Sequence, residues 1–243
     1  MRGCIAGGRA VLLGAVLCGL VGAAAAAEAD APVFDPWAAD VLGSETFLAS
    51  HPDMRYRKLG NEAMQGGRPE QARSYYRRGA RYADKLSQAA LAELLWNGVG
   101  GPADRAAAYA WMDLAAERGD RFLLVHRERY WAALDPAERD RALVEGQALY
   151  DTYGDAVAKP RQEREMRRGR NEVTGSRLGW IGALKMTVRG EDGQQQAMPV
   201  DRFLQDRYWE PAQYWHWQAQ AMEQMQRAGT VEVGPATGVS PAE

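Results

Sequence analysis

Few side chains in this sequence could do chemistry, and their spacing argues against most kinds. Histidine occurs three times, at His51, His126 and His216, far apart and with no HExxH or HxH neighbour to build a zinc site. His126 and Glu128 could be drawn as an acid–base pair, but residues two apart on a helix face different directions, so exposed surface is the simpler reading. Gly175-Ser176-Arg177 lacks the lysine and spacing of a phosphate loop and the second glycine of a nucleophile elbow, which leaves a structural turn. Lys159, Arg161, Arg164, Arg167, Arg168 and Arg170 could hold an anion such as a phosphate-bearing lipid, an acidic peptide or a cell-wall carboxylate. Glu163 and Glu165 among them also fit a solvated helix face paired within itself. Trp215-His216-Trp217 could stack a sugar ring on an indole face, yet alternate residues on a helix point apart, and core packing accounts for at least one of the two tryptophans. These residues predict no catalytic group, no metal ligand and no cofactor.

Composition narrows the classes further. The chain has 243 residues, 46% hydrophobic and 26% charged, with a formal net charge of −2. That balance excludes collagenous, mucin-like and wholly disordered chains, and it gives no case for a nucleic-acid binder. The length allows one or two domains with a sizeable core.

Residues 1–27 read as a cleaved secretory signal. Arg2 and Arg9 form a short positive start, Val11 to Val21 is apolar, and Ala25-x-Ala27 supplies the small side chains a signal peptidase needs. The apolar run is short for a membrane span, although a retained anchor stays open. Val16 and Leu17 precede Cys18 where a lipobox would carry small residues, which argues against lipidation. Cleavage near Ala27 removes Cys4 and Cys18, the only cysteines, and leaves 28 basic against 32 acidic residues, a net charge of −4. Only Lys58, Lys85, Lys159 and Lys185 are lysines. Arginine and alanine richness suggests a bacterial protein in the periplasm or secreted, so nucleic acid is not an expected partner.

The elements that must position any site are mainly helical. Residues 28–50 read as an N-terminal arm or short helix, with Phe34, Trp37, Leu42, Phe47 and Leu48 docking on the helical region beyond it. Over 51–156 apolar and small residues recur at three- and four-residue spacing, broken by Gly, Pro and Asp. The pattern predicts helices near 53–65 and 69–83, 86–97 and 103–118, and 121–133 and 136–152, as three hairpins. Asp135, Pro136 and Glu138 form a helix-start signal with a capping box.

The middle hairpin carries the most specific pattern. Leu91-Ala92-Glu93-Leu94-Leu95-Trp96-Asn97-Gly98-Val99-Gly100-Gly101-Pro102-Ala103-Asp104, continued by Ala108, Trp111, Ala115, Ala116 and Gly119, resembles a Sel-1-like repeat over about 30 residues. Gly98 and Gly100 allow positive φ in the turn, Asp104 can cap the second helix, and the alanines let helices approach closely. Trp111 would fill the space between hairpins. In the preceding hairpin Leu59-Gly60, Ala72 and Tyr76 resemble the related tetratricopeptide spacing with a shorter turn. The third keeps only the helical pattern.

The rest of the chain reads as a C-terminal extension over 157–228 and a disordered tail over 229–243. Within the extension, residues 159–170 form a charged helix and Val173 to Gly179 is rich in turn formers. Ala183 to Val188 and Gln194 to Val200 make a β-hairpin, with Pro199 demoting the second strand to an edge. An aromatic-rich helix runs from Pro211 to about Arg227. The fold class expected is mainly α: a short α-solenoid of about three hairpins with a C-terminal β-hairpin and aromatic helix. About three stacked units and a cap are what such repeats need, so the extension is expected to cap the third hairpin.

What the resemblance implies is a non-catalytic scaffold that holds a protein or peptide partner in a concave groove. Tyr75, Trp96 and Tyr109 are the contact residues expected, with Arg164, Arg167 and Arg168 as a secondary surface that could touch a membrane. The alternative is an envelope-glycan-acting enzyme, or a subunit of one, using two carboxylates roughly 5–10 Å apart in a cleft.

Overall fold

The structure, a computed structural model, describes residues 37–174, 185–189 and 193–228, all within one compact unit, Pro36–Glu243. The expected signal segment, the tail over 229–243, the first residues of the first strand and most of the hairpin turn lie outside the described residues.

The described part of the N-terminal arm, from Trp37 on, forms two short helices, α1 (Ala38–Gly43) and α2 (Glu45–Ser50), and residues 28–36 with Phe34 lie outside the described residues. Ser44 separates them, and its hydroxyl accepts from the Phe47 N–H at 3.3 Å. Next come α3 (Pro52–Gln65), α4 (Pro69–Ala80), α5 (Lys85–Trp96) and α6 (Arg105–Ala115), then a 3-10 turn over Ala116–Arg118. Beyond it lie α7 (Arg121–Ala133) and α8 (Pro136–Tyr153). Proline opens α3, α4 and α8, where its missing N–H costs nothing. Aspartate caps four of these helices: Asp84, Asp104, Asp120 and Asp135 accept from the backbone N–H three residues on, at 2.8–3.1 Å. Glu138 completes the capping box by accepting from the Asp135 N–H at 2.9 Å.

Two of the three expected hairpins are closed pairs: α3 runs along α4 and α5 along α6, with α4 against α5. Their shared core holds Ala72, Tyr76, Ala80, Leu91, Ala92, Ala108, Trp111, Leu114 and Ala115, while Leu59 is only half-buried. A Cβ at Gly60 would run into the Tyr76 ring, so glycine there lets α3 and α4 meet. Gly100 has φ +75° and sits on the backbone of Pro69 and Glu70, joining the second pair's turn to the first pair. Trp111 meets Tyr153 edge-on at 4.8 Å.

The third pair differs from the expected hairpin. Both α7 and α8 pack on α6, and α8 lies along α6 rather than along α7. The apolar side of α8 accounts for this: Leu149, Tyr150 and Tyr153 join the α5–α6 core, and the Tyr150 hydroxyl donates to Asp113 Oδ2 at 3.2 Å.

The charged helix is longer than expected, α9 (Asp155–Thr174), so Val173 and Thr174 belong to a helix and not to a turn. Ala158, Gln162, Met166 and Gly169 form its buried stripe. At 20 residues it spans about 30 Å, enough to carry the chain back to its start. There β1 (Lys185–Arg189) pairs antiparallel with β2 (Gln195–Pro199), in register from Lys185 opposite Pro199 to Arg189 opposite Gln195. Next are α10 (Val200–Phe203), α11 (Asp206–Trp209) and α12 (Pro211–Ala228).

This places the C-terminal extension elsewhere than expected. Its own buried core is shared with the N-terminal helices, as Val188, Met198, Phe203, Tyr208 and Trp209 bury Val41, Phe47 and Leu48, while Met222 of α12 packs on the central cluster that includes Leu123 and Tyr130. Phe47 provides the reason, since its ring stacks on His51 at 3.7 Å and meets Phe203, Tyr208 and Trp209 edge-on at 5.7–6.5 Å. Edge-on aromatic contacts add to the burial of so much ring surface.

Candidate functional site

The return of the chain encloses a cleft of about 490 Å³. One wall is α3, through Asp53, Met54, Arg57 and Asn61. The start of α5 adds Asp84, Lys85 and Leu86, and the corner between α6 and α7 adds Ala115, Arg118, Asp120 and Leu123. The opposite wall is α12, with Trp215, Trp217, Gln218, Met222 and Met225. A space of this size, largely apolar with polar groups at its base, is typical of ligand clefts.

The charges at the base are neutralised from within. Lys85 is only 3% exposed, and its Nζ bonds the Leu114 carbonyl at 3.0 Å, Gln88 Oε1 at 3.2 Å and Glu117 at 2.6 Å, with Asp155 at 3.1 Å. Burial lowers the Lys85 ammonium from its ordinary range, and those carboxylates oppose the shift. Arg118 grips Asp155 through two nitrogens at 2.8 and 3.0 Å and donates to the Ala83 carbonyl at 2.9 Å. Burial alone would raise Asp155, but Arg118, Lys85 and Lys159 outweigh it and hold its carboxyl well below the usual range. Arg57 pairs with Asp84 at 2.8 Å, and Asp84 also caps α5.

Asp53 is different. It is fully buried, it accepts a bond from the Tyr214 hydroxyl, and its Oδ1 has no hydrogen-bond partner. Burial, and then the neighbouring Asp84, push its carboxyl up to about 7, against the pull of the Tyr214 bond, the Met54 backbone N–H and Arg57. Burial and Asp53 together raise the Tyr214 phenol, which also accepts from Gln218 at 2.7 Å. Next to them His51 places Nδ1 2.9 Å from the Phe47 carbonyl and Nε2 2.8 Å from that of Tyr208. Only an imidazolium could donate to both, so these bonds favour the charged form. Burial nevertheless pulls His51 down to about 4.

The six residues expected to contact a partner lie outside the cleft lining. Tyr75, Trp96 and Tyr109 are half-buried against the central core. Trp96 stacks on Tyr130 at 4.0 Å with the Arg105 guanidinium over its ring, and Tyr109 lies 4.9 Å from Trp131. The resemblance implies that these rings line an open groove; in the fold Trp96 and Tyr109 pack against rings of α7, and Arg105 of α6 lies over Trp96. Arg164, Arg167 and Arg168 are exposed, and the last two pair along α9 with Glu163 at 3.8 Å and Glu172 at 3.2 Å. Trp215 and Trp217 both reach the cleft: Trp215 donates to Glu163 at 2.9 Å, and Trp217 packs on Tyr208, with His216 exposed between them.

The sequence does not mark Asp53, Lys85, Asp155 or Tyr214 as site residues, and Tyr214 reads there only as one of a run of packing aromatics. Lys85 carries a signal as one of four lysines in a chain that otherwise uses arginine. Among the described residues no group of three or more His, Cys, Asp or Glu side chains is placed to hold a metal ion. Comparison with protein-family models, with curated proteins and with solved structures finds no match for this chain.

Proposed function

We propose that this protein is an exported, non-catalytic helical-repeat scaffold of Sel-1-like or tetratricopeptide type, which holds a protein or peptide partner of the cell envelope in the cleft between α3, α5 and α12. The observation that carries this reading is the cleft itself: Met54, Leu86, Leu123, Trp217 and Met222 offer apolar side chains, while each cation among its lining residues has a carboxylate partner inside the fold. A surface of that kind rewards burial of an apolar segment and leaves no cation free to polarise a substrate. The stacked pairs α3–α4 and α5–α6, with Gly98, Gly100 and Asp104 in the turn and cap positions of the resemblance, support the repeat assignment. Export rests on the Arg2 to Ala27 pattern.

In-cell photocrosslinking from Met54, Leu86 and Met222, with exposed Gln147 as the control, tests the reading. One discrete adduct shared by the cleft positions and absent at Gln147 is expected. Adducts no different from the control would overturn it.

One observation favours the enzymatic alternative. Asp53 keeps its proton to about pH 7 beside a cleft, as a general acid must, and Asp84 is a second carboxylate nearby. Against it, Asp84 is taken up by Arg57 and by the start of α5. Release of soluble fragments from purified cell-wall glycan, lost in Asp53→Asn, would establish the enzyme; no release by the wild-type chain would remove it.

A further inference from the structure

We propose that the bond between Asp53 and the Tyr214 hydroxyl is a proton-operated latch on the cleft, holding α12 down while the Asp53 carboxyl is protonated and yielding when it ionises. The proposal rests on the cleft reading above and concerns its regulation.

The grip of α12 on the rest of the fold is uneven. Near its start Tyr214 is fully buried and Trp215 is tied to Glu163 of α9, whereas Met222 is half-buried and Met225 is 51% exposed. For the helix that forms one wall of the cleft, the deepest anchor among these is the bond from Tyr214 to Asp53.

That anchor is built around an undercompensated carboxyl. From α12 it faces the Tyr214 hydroxyl, with Gln218 behind it; from the start of α5 it faces Asp84. Arg57, one turn along α3, is committed to Asp84 at 2.8 Å, and the His51 ring lies 5.3 Å from that of Tyr214. An ionised Asp53 would keep the Tyr214 bond and the pull of the Met54 backbone N–H, but Oδ1 has no hydrogen-bond partner and a second negative charge, Asp84, lies beside it. The Tyr214 bond itself strengthens on ionisation, but one phenol does not replace the hydration of a carboxylate. Lifting α12 returns that hydration.

The sense of the pH dependence is set by these two states. With α12 closed, Asp53 titrates at about 7, and exposed it returns to its ordinary 3.8. The closed state is thus favoured fully below about pH 4. Its advantage is lost as pH rises to about 7, the open population growing about tenfold per pH unit and levelling off beyond. His51 works in the opposite sense, but its ring nitrogens are held by carbonyls of Phe47 and Tyr208 and its ring packs on Phe47 and Trp209, all outside α12.

Hydrogen exchange of α12 amides in the mature chain from pH 5 to 8, corrected for the intrinsic rate, reads this opening directly. The expected result is a tenfold rise per unit to about pH 7 and a plateau above, with no such rise in α6 and none in α12 of Asp53→Asn. Equal slopes in wild type and Asp53→Asn, or no slope in wild type, would overturn the latch. Should Asp53→Asn lose its native circular dichroism, Tyr214→Phe serves instead: without the phenol the plateau moves to higher pH, and an unmoved plateau counts against the proposal. The exchange needs no partner, so its failure leaves the cleft reading intact, and a failed crosslink leaves the latch intact.

Discussion

Two buried ionic clusters lie at the base of one cleft, and the protein treats them in opposite ways. Around Lys85, one ammonium is met by Glu117 and Asp155, and Arg118 and Lys159 complete the neutralisation of Asp155. Around Asp53, a carboxyl, a phenol and an imidazole share a site with no cation dedicated to them. The first cluster ties α5 to the α6–α7 corner and α9; the second ties α3 to α12 and, through His51, to α11. A cluster in which each buried charge meets opposite charges acts as a fixed joint. An undercompensated one stays closed by holding or shedding protons, which makes it responsive.

The largest effect that would test this contrast is at the fixed joint. Lys85→Met leaves Glu117 and Asp155 without their buried cation, and breaking one side of such a cluster costs about 3–5 kcal/mol. Urea unfolding at pH 7 should show that loss, and Lys85→Met combined with Asp155→Asn should recover part of it. A loss under about 1 kcal/mol would mean that Arg118 and Lys159 suffice and that Lys85 is not the hub.

The responsive cluster predicts a cancellation. Folding depresses His51 from 6.5 to about 4, so its contribution is present above pH 6.5 and is lost as pH falls through about 4. Folding raises Asp53 from 3.8 to about 7, so its contribution is present below pH 3.8 and is lost as pH rises through about 7. Between about pH 4 and 6.5 the unfolded chain holds the His51 proton and the native chain holds the Asp53 proton, and the two slopes cancel. Global stability of the wild type should therefore be nearly flat there. In Asp53→Asn it should rise by about 1.4 kcal/mol per pH unit, and in His51→Gln fall by a similar amount. Denaturant midpoints across that window measure both, and parallel curves in all three proteins would refute the opposition of the two groups.

The same contrast shows what could be read from the chain alone. Helix starts were legible because Pro and Asp mark them locally, as at Asp104 and at Asp135-Pro136. The helical pattern of α8 was legible too, but with Leu143 and Val144 exposed it does not show which side is buried or which neighbour it meets, and α6 rather than α7 took it. The resemblance puts Trp96 and Tyr109 in a groove, and nothing local shows that Tyr130 and Trp131 of α7 pack against them. Asp53 was hidden more deeply. A carboxylate in the first turn of a helix looks like ordinary dipole compensation, and its partner Tyr214 is 161 positions away. Nothing local distinguishes Asp53 from the many exposed acids at helix starts.

The smallest expected effect concerns the arginines of α9, which share a helix with the fixed joint and lie on its outer side. Arg168 is 74% exposed along its side chain and pairs with an equally open Glu172 at 3.2 Å. Arg167 reaches Glu163 only at 3.8 Å, while Glu163 is already engaged by Trp215. Exposed pairs one helical turn apart are worth about 0.3–0.5 kcal/mol and are screened by salt. Arg168→Ala should therefore shift the unfolding midpoint by no more than that, and about 0.5 M salt should erase the difference. A loss above about 1 kcal/mol that survives salt would show that the outer side of α9 has a structural role, and that the division between a joint inside this helix and solvent outside it has been drawn in the wrong place.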